Sequence, residues 1–235
     1  RKSEELMQQG RVSVNGQVVT ELGTKVDPAH DDIRVDGQRI EFAAHPTYVM
    51  LNKPQGVLSV MKDARGRKSI GDLVQASVRL YPVGRLDVNS EGLILLTDDG
   101  ELANLLTHPR YEHQKEYRVL VNGHPTQDKL DAWRRGIVLD GQPTAPAQVQ
   151  ALRSGKDWTL LSVVMHEGQK RQIRRVAAML GHPVRELKRV RLGPLHLGTL
   201  ETGNWRYLTA RETHDLESIK KAARKAKKKR ASRRS

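Results

Sequence analysis

Residues 84–100 read Gly84-Arg-Leu-Asp-Val-Asn-Ser-Glu-Gly-Leu-Ile-Leu-Leu-Thr-Asp-Asp-Gly100, a polar loop that runs straight into an apolar segment. The run from Gly92 through Thr97 has the character of a strand buried on both faces. Asp98-Asp99-Gly100 then turns the chain, and residues 101–106 carry helical spacing. Asp87 stands at the centre of the loop with Arg85 nearby, and Gly84 and Gly92 allow sharp backbone turns. A lone aspartate in such a loop is ordinarily a turn or cap residue. A chemical role needs a cation within about 4–6 Å to hold the carboxylate in its charged form. Spacing alone does not say which cation that is.

On either side of this segment, Tyr48-Val-Met-Leu51 begins a strand that Lys53-Pro54 ends, with Gly56 making the turn. Residues 117–121 and 158–164 are strand candidates by their β-branched and aromatic content. Over residues 169–180 the spacing predicts a helix. Ile173, Val176, Ala177 and Leu180 fall on one face and Lys170, Arg171, Arg174 and Arg175 on the other, while Gly181 and Pro183 end it. Four cations without an intervening acid favour a surface turned toward RNA or an active site over a merely solvated face. Strands and helices alternate irregularly, which points to an α+β fold with a mixed sheet rather than a doubly wound one.

The N-terminal part has a different grain. Alternating valines flank Asn15-Gly16, and Ile33-Arg-Val and Gln38-Arg-Ile flank Asp36-Gly37, two strong hairpin signals. Residues 3–9 look like the end of a helix stopped by Gly10. The first 41 residues are too few to bury a large core alone. A linker is expected over residues 42–46.

Composition excludes several function classes. The chain has no cysteine, so disulfides, thiolate zinc sites and cysteine nucleophiles are ruled out. An aromatic share of 4% argues against RNA recognition on a sheet of exposed stacking rings. The nine histidines lack zinc-ligand spacing, and neither a phosphate-cradling glycine loop nor a serine nucleophile elbow is present. Asp98 and Asp99 offer a metal-dependent nuclease as a rival reading, although an Asp-Asp-Gly turn is the ordinary one. No apolar run approaches the roughly 18 residues of a membrane span, and no signal peptide is visible, so a cytoplasmic protein without membrane partners is expected. The net charge is +14, and residues 220–234 hold ten cations and no acid. A basic, disordered tail over residues 216–235 that binds phosphates is therefore expected.

The segment 84–100 resembles the RsuA/RluB/RluE/RluF family of ribosomal RNA pseudouridine synthases, and the RluB type most of all. The resemblance continues through Lys53-Pro54 with Gly56, Glu101-Leu-Ala-Asn-Leu-Leu-Thr-His-Pro109, Lys115-Glu-Tyr117, His166-Glu-Gly-Gln-Lys-Arg-Gln-Ile-Arg-Arg175 and Lys188-Arg-Val-Arg-Leu-Gly193. It implies a catalytic domain over residues 47–215 with a largely antiparallel mixed sheet and a central cleft, preceded over residues 1–42 by a small S4-like RNA-binding domain. Arg1-Lys-Ser-Glu-Glu5 resembles the second helix of such a domain, so that module is expected to be N-terminally incomplete. By the same resemblance Asp87 is the catalytic carboxylate, Tyr117 stacks on the target base and assists deprotonation, and Arg174 pairs with Asp87. Arg85 would lie near a flipped nucleotide and Ile173 would line the pocket, while Lys170, Arg171 and Arg175 would face the RNA. The implied reaction is isomerisation of uridine to pseudouridine with no cofactor. Its implied substrate is large-subunit (23S) rRNA, the small-subunit (16S) rRNA and a non-catalytic ribosome-assembly role being the alternatives, and a monomer is the default.

Overall fold

The computed structural model describes residues 2–27, 30–40 and 45–231, with the backbone alone at 109 and 227–231. The chain divides into two compact units, Arg1–Pro46 and Thr47–Ser235. Most of the linker read over residues 42–46 lies outside the described residues.

In the first unit a short helix, α1 (Lys2–Gln8), precedes four strands, β1 (Val12–Val14), β2 (Gln17–Val18), β3 (Ile33–Val35) and β4 (Gln38–Arg39). They form an antiparallel sheet in the order β2-β1-β3-β4. Both hairpins turn where the sequence signals them. Asn15 and Gly16 have φ of 52° and 82°, and Asp36 and Gly37 have 52° and 77°, the paired positive angles that a tight two-residue turn demands. Arg11 clamps the second turn with two hydrogen bonds to Asp36, at 2.7 and 2.5 Å. Among the described residues of this unit Ile33 is the one buried hydrophobic side chain, as befits so short a segment.

The second unit contains, in chain order, β5 (Tyr48–Lys53), β6 (Tyr81–Pro82), β7 (Glu91–Thr97), α2 (Gly100–Thr107), β8 (Lys115–Asn122), α3 (Gln127–Arg135), β9 (Val138–Leu139), β10 (Gln142–Pro143), β11 (Gln148–Ser154), β12 (Trp158–Met165), α4 (Gln172–Met179), β13 (Val184–Leu192), β14 (Leu195–His196), β15 (Trp205–Tyr207) and α5 (Ala210–Ala231). Nine strands form one sheet in the order β11-β12-β8-β13-β7-β5-β15, with β14 added on β13 and β6 on β7. Every pairing in it is antiparallel except β13 with β7. This is the mixed, largely antiparallel sheet that the sequence leads one to expect.

β7 is covered on both faces, and its alternation shows how. Leu93 and Leu95 pack with Met50, Leu102, Leu106 and Leu216. Ile94 and Leu96 pack on the opposite side with Val49, Leu51, Ile70 and Leu80. All four β7 side chains are fully buried, each worth about 1.5–3 kcal/mol of transfer free energy. A third apolar cluster lies under α3 and α4, where Trp133, Ile173 and Val176 cover Val119, Val121, Leu161 and Val163. The two halves of the sheet meet where β13 runs beside the start of β7. Gly92, at φ +107°, lets them close, because a Cβ there would lie 2.2 Å from the Arg189 carbonyl oxygen. The buried Arg189 side chain then crosses the seam and donates Nε–H to the Leu93 carbonyl at 2.7 Å.

The expected disordered tail from residue 216 needs correction, since α5 begins at Ala210 and is described as far as Ala231. Its first turns are held by the body of the domain. Leu216 is fully buried, and Lys220 donates to Asp99 at 2.7 Å and to Glu217 at 3.2 Å. The Tyr48 hydroxyl donates to the same two carboxylates, at 2.8 and 3.0 Å. Arg224 forks onto Glu101. Asp99 also caps α2 by accepting the Leu102 N–H at 3.0 Å. Charge counting along the chain misses most of this, because two of the neutralising acids, Asp99 and Glu101, lie more than a hundred residues upstream. Residues 232–235 lie outside the described chain. Among the described residues no helix is long and apolar enough to cross a membrane.

Gly92→Ala has to push β13 from β7 and adopt a left-handed φ at once. We expect a loss of about 3 kcal/mol or more, read as a shifted urea midpoint, whereas Gly100→Ala, which meets nothing within 4 Å, shifts it far less.

Candidate active site

Three pieces of the second unit converge on a cavity of about 320 Å³, near the lower end of the roughly 300–1,000 Å³ usual for small-ligand sites. The loop before β7 contributes Arg85, Leu86, Asp87 and Ser90, the first turn of α4 and the segment leading into it contribute Lys170, Arg171 and Ile173, and the sheet contributes Tyr117 and Leu187.

The Asp87 loop is held by its backbone. Ser59 Oγ donates to the Leu86 carbonyl at 2.8 Å and accepts the Leu86 N–H at 3.0 Å, so one hydroxyl satisfies both polar groups of a buried residue. The Gly56 N–H reaches the Val88 carbonyl at 2.8 Å, and the Ser90 N–H turns back to the Asp87 carbonyl at 3.0 Å. Asp87 is thereby presented from a fixed turn with its side chain 36% exposed.

Lys53 lies beneath, fully buried, with Nζ donating to the carbonyls of Pro54 and Val57, both at 2.8 Å. Burial lowers its pKa to about 8, against the opposing pull of Glu91 and Asp87.

The facing wall is set by Gln172, which accepts the Gln169 N–H at 2.9 Å and donates to Glu167 at 2.6 Å. Glu167 in turn accepts the Ala145 N–H at 2.8 Å. The stitched turn leaves Arg171 in the left-handed region, φ 53° and ψ 31°, at the N-cap of α4. Lys170 and Arg171 therefore precede the helix instead of lying on its cationic face, and α4 is shorter at both ends than the 169–180 expected. The turn aims Arg171 at the carboxylate, with Nη1 3.7 Å from Asp87 Oδ2. That is an ion pair without a hydrogen bond, worth up to about 1 kcal/mol at this exposure.

Arg174 does not make the direct pair with Asp87 that the resemblance implies. Its Nη2 donates to the Asn89 carbonyl at 2.5 Å and approaches Ser90 Oγ at 3.4 Å, bracing the same loop through its backbone. Burial and then Arg171 lower its pKa, while the Asp87 charge raises it, so its guanidinium still feels the carboxylate. It lies one helical turn C-terminal of Arg171, and its buried Nε finds no hydrogen-bond partner. Arg175 is not brought to the cavity, since it forks away to Asp140 in the β9–β10 turn, at 2.5 Å. Tyr117, placed by β8 opposite Val163 of β12 and Arg189 of β13, stands on the cavity floor. Arg85 is exposed at the rim, and Ile173 is 6% exposed at the wall.

The rival metal reading loses its ligands. Asp98 accepts the Thr47 N–H at 2.8 Å and Asp99 is consumed by its cap, Tyr48 and Lys220. Among the described residues no group of three or more His, Cys, Asp or Glu is placed to hold a metal ion. Sequence reading missed Ser59, Ser90 and Gln172 as supports of the site. Their signal is weak, because Ser59 and Ser90 meet Leu86 and Arg174 across 27 and 84 residues, and Gln172 closes a turn that its spacing does not mark.

Comparison with known proteins bears on the family and the fold. The family model described as RNA pseudouridylate synthase matches residues 47–179, and the S4 domain model matches residues 1–33. The ribosomal large subunit pseudouridine synthase B of Bacillus subtilis is 44% identical over 93% of this chain and 90% of its own length. The protein of the same name from Pseudomonas aeruginosa is 40% identical over 87% of this chain and 54% of its own. A crystal structure of a pseudouridylate synthase superposes with a TM-score of 0.69 at 30% identity, covering 92% of each chain.

Between about pH 8 and its ordinary 10.5, Lys53 is protonated in the unfolded chain and largely neutral in the folded one. Its contribution to stability therefore rises with pH across that window. We expect the urea midpoint of the wild type to gain on that of Lys53→Met from pH 7.5 to 10, and a constant difference contradicts it.

Proposed function

The chain belongs to the RNA pseudouridylate synthase family, and from that premise we propose that it isomerises a uridine of large-subunit rRNA with Asp87 as the catalytic carboxylate. The observation that carries this reading is the placement of Asp87, Arg171 and Tyr117 around one cavity, with the Asp87 loop tied down from both sides. The choice of substrate is supported by the Bacillus subtilis and Pseudomonas aeruginosa relatives, both named for the large ribosomal subunit.

Uridine and pseudouridine are isomers. The N1–C1′ bond breaks, the uracil rotates, and a C5–C1′ bond forms; the C5 proton leaves and N1 takes one up, so neither a proton nor an electron is gained or lost overall. The target base has to leave its stack, at a cost of a few kcal/mol. Asp87 then either attacks C1′ or takes a 2′-proton, both within the reach of a carboxylate. Tyr117 holds the detached base from the floor, and Ile173 and Leu187 keep water from one side of it. Arg171 faces the carboxylate directly, whereas Arg174 acts as a positioning residue through the carbonyl of Asn89. Arg85 and Lys170 at the rim supply charge for the flanking phosphates.

Asp87→Asn keeps the size of the side chain and removes its charge. A purified reaction on rRNA transcript is expected to lose at least about a thousandfold in rate, some 4 kcal/mol. Pseudouridine formation near the wild-type rate sinks the assignment. Carbodiimide primer extension on rRNA from cells with and without the gene identifies the subunit, and a stop lost from small-subunit rRNA alone overturns the choice of substrate.

We also infer a phosphate-binding role for the basic end of α5. Lys220 and Arg224 are already spent on Asp99, Glu217 and Glu101, whereas Lys221 and Lys225 are exposed and make no ion pair among the described residues. Removing residues 225–235 is expected to weaken rRNA binding and flatten its salt dependence, with the folding midpoint held within about 0.5 kcal/mol.

A further inference from the structure

Residues 60–69 form a loop that neither the reaction nor the fold accounts for. Residues 62–68 read Lys-Asp-Ala-Arg-Gly-Arg-Lys, four cations and one acid, and all four cations are exposed. A charged surface loop of this size is ordinarily floppy and solvated. This one is built. Asp63, only 11% exposed at its side chain, accepts the backbone N–H groups of Arg65 and Arg67, both at 3.1 Å. It also accepts Nε and Nη2 of Arg67, at 3.0 and 2.8 Å. Gly66 at φ +70° makes the turn.

The base of the loop is equally fixed. Leu58 pairs with Ser69 in a parallel bridge, and Gly71 has no Cβ because the Met61 carbonyl oxygen occupies its place, 1.8 Å away. Arg67 is thus spent on Asp63, and the Lys68 charge is felt by Asp72. Lys62 and Arg65 are left without an ion pair among the described residues, held outward by a scaffold whose one acid already has its partner.

The root of this loop is bonded to the catalytic loop. Ser59, three residues before Lys62, exchanges two hydrogen bonds with Leu86, the neighbour of Asp87 and itself part of the cavity wall. Three residues span at most about 11 Å between Cα atoms. Lys62 therefore stands within about that reach of the wall that carries Leu86 and Asp87, with Arg65 three residues further along the same loop, so the loop adjoins the Asp87 side of the cavity.

We infer that residues 62–68 are a preorganised docking loop for the RNA phosphate backbone, with Lys62 and Arg65 as its contacts. The inference rests on the proposed rRNA substrate and adds a second wall to its path. Cations carried on an ordered backbone lose less conformational freedom on binding than those on a flexible one, so the Asp63 scaffold raises affinity without touching the RNA. Phosphate contacts fix where the strand lies and leave the choice of base to the cavity.

The test is Lys62→Gln with Arg65→Gln, two exposed changes that leave Asp63, Arg67 and the Ser59–Leu86 bonds in place. With a 23S rRNA transcript as probe, we expect Kd to rise about tenfold at physiological salt. The slope of log K against log salt is expected to shrink by about 1.5, near 0.7–0.9 for each phosphate released. KM rises in step and kcat stays within twofold. The same double neutralisation at Lys156 and Arg211, exposed cations on other parts of the chain, is expected to leave all four quantities nearly unchanged. Unchanged affinity and salt slope in the loop variant overturn the inference, as does an equal loss from the control pair, which reads net charge alone. A collapse of kcat with binding intact also overturns it, because the loop then acts on Leu86 and not on RNA. Wild-type protein that binds the transcript with the expected loop dependence yet forms no pseudouridine contradicts the proposed reaction and leaves the docking loop standing.

Discussion

The approach of β13 to β7 at Gly92 is the constraint on which the rest of the second unit depends. Two sheet halves with separate apolar layers are joined by one parallel pairing, and that pairing closes because residue 92 has no side chain. The loop bearing Asp87 ends there. Any displacement of β13 moves the floor on which Tyr117 and Leu187 stand and the start of the strand that fixes Asp87. Arg189 reinforces the seam by reaching across to the Leu93 carbonyl from a nearly fully buried position. A guanidinium at that depth with Nη2 unpartnered is costly, and we see no compensating contact for it.

The site is organised mainly through backbone groups. Ser59, Gly56 and Arg174 hold the loop by its carbonyls and amides, which keeps the Asp87 oxygens free of competing donors and open to a substrate. The direct cation is Arg171, at 3.7 Å, a distance that does not lock the carboxylate in a hydrogen bond. In the proposed reaction a tight bidentate pair has to be broken before Asp87 meets a sugar carbon. A loose one does not. Lys53 adds positive charge below the loop in a pocket that already strains to keep it charged. Asp87 thus sits among three cations, with Arg171 held beside it in a left-handed turn.

Positive charge outside the cavity is distributed by how much of it the fold has already used. Arg224 and Lys220 look in the sequence like the start of a tail, yet they seat α5 on Glu101 and Asp99. Arg175 looks like a member of a cationic helix face, yet Asp140 takes it. Conversely, Lys62 and Arg65 pass unnoticed in a short polar stretch, and the fold leaves them unpaired. Counting charges overestimates one surface and misses another, because pairing is a property of residues distant in the chain.

Much was legible from the sequence alone. The apolar run after Gly92, the paired Asn-Gly and Asp-Gly turns, the helix at Ile173 and the ordered motifs around Asp87 determined the architecture and the family. These signals are local, arising from periodicity, from the angles that glycine permits, and from short strings whose order survives without a fold. Tertiary structure alone decided that Arg171 and not Arg174 faces the carboxylate, that Lys220 is an anchor, and that Gly92 is a seam. Each of those depends on a few tenths of an ångström between segments far apart in sequence. Hydrogen bonds and close contacts discriminate at that scale, and no spacing along the chain encodes it.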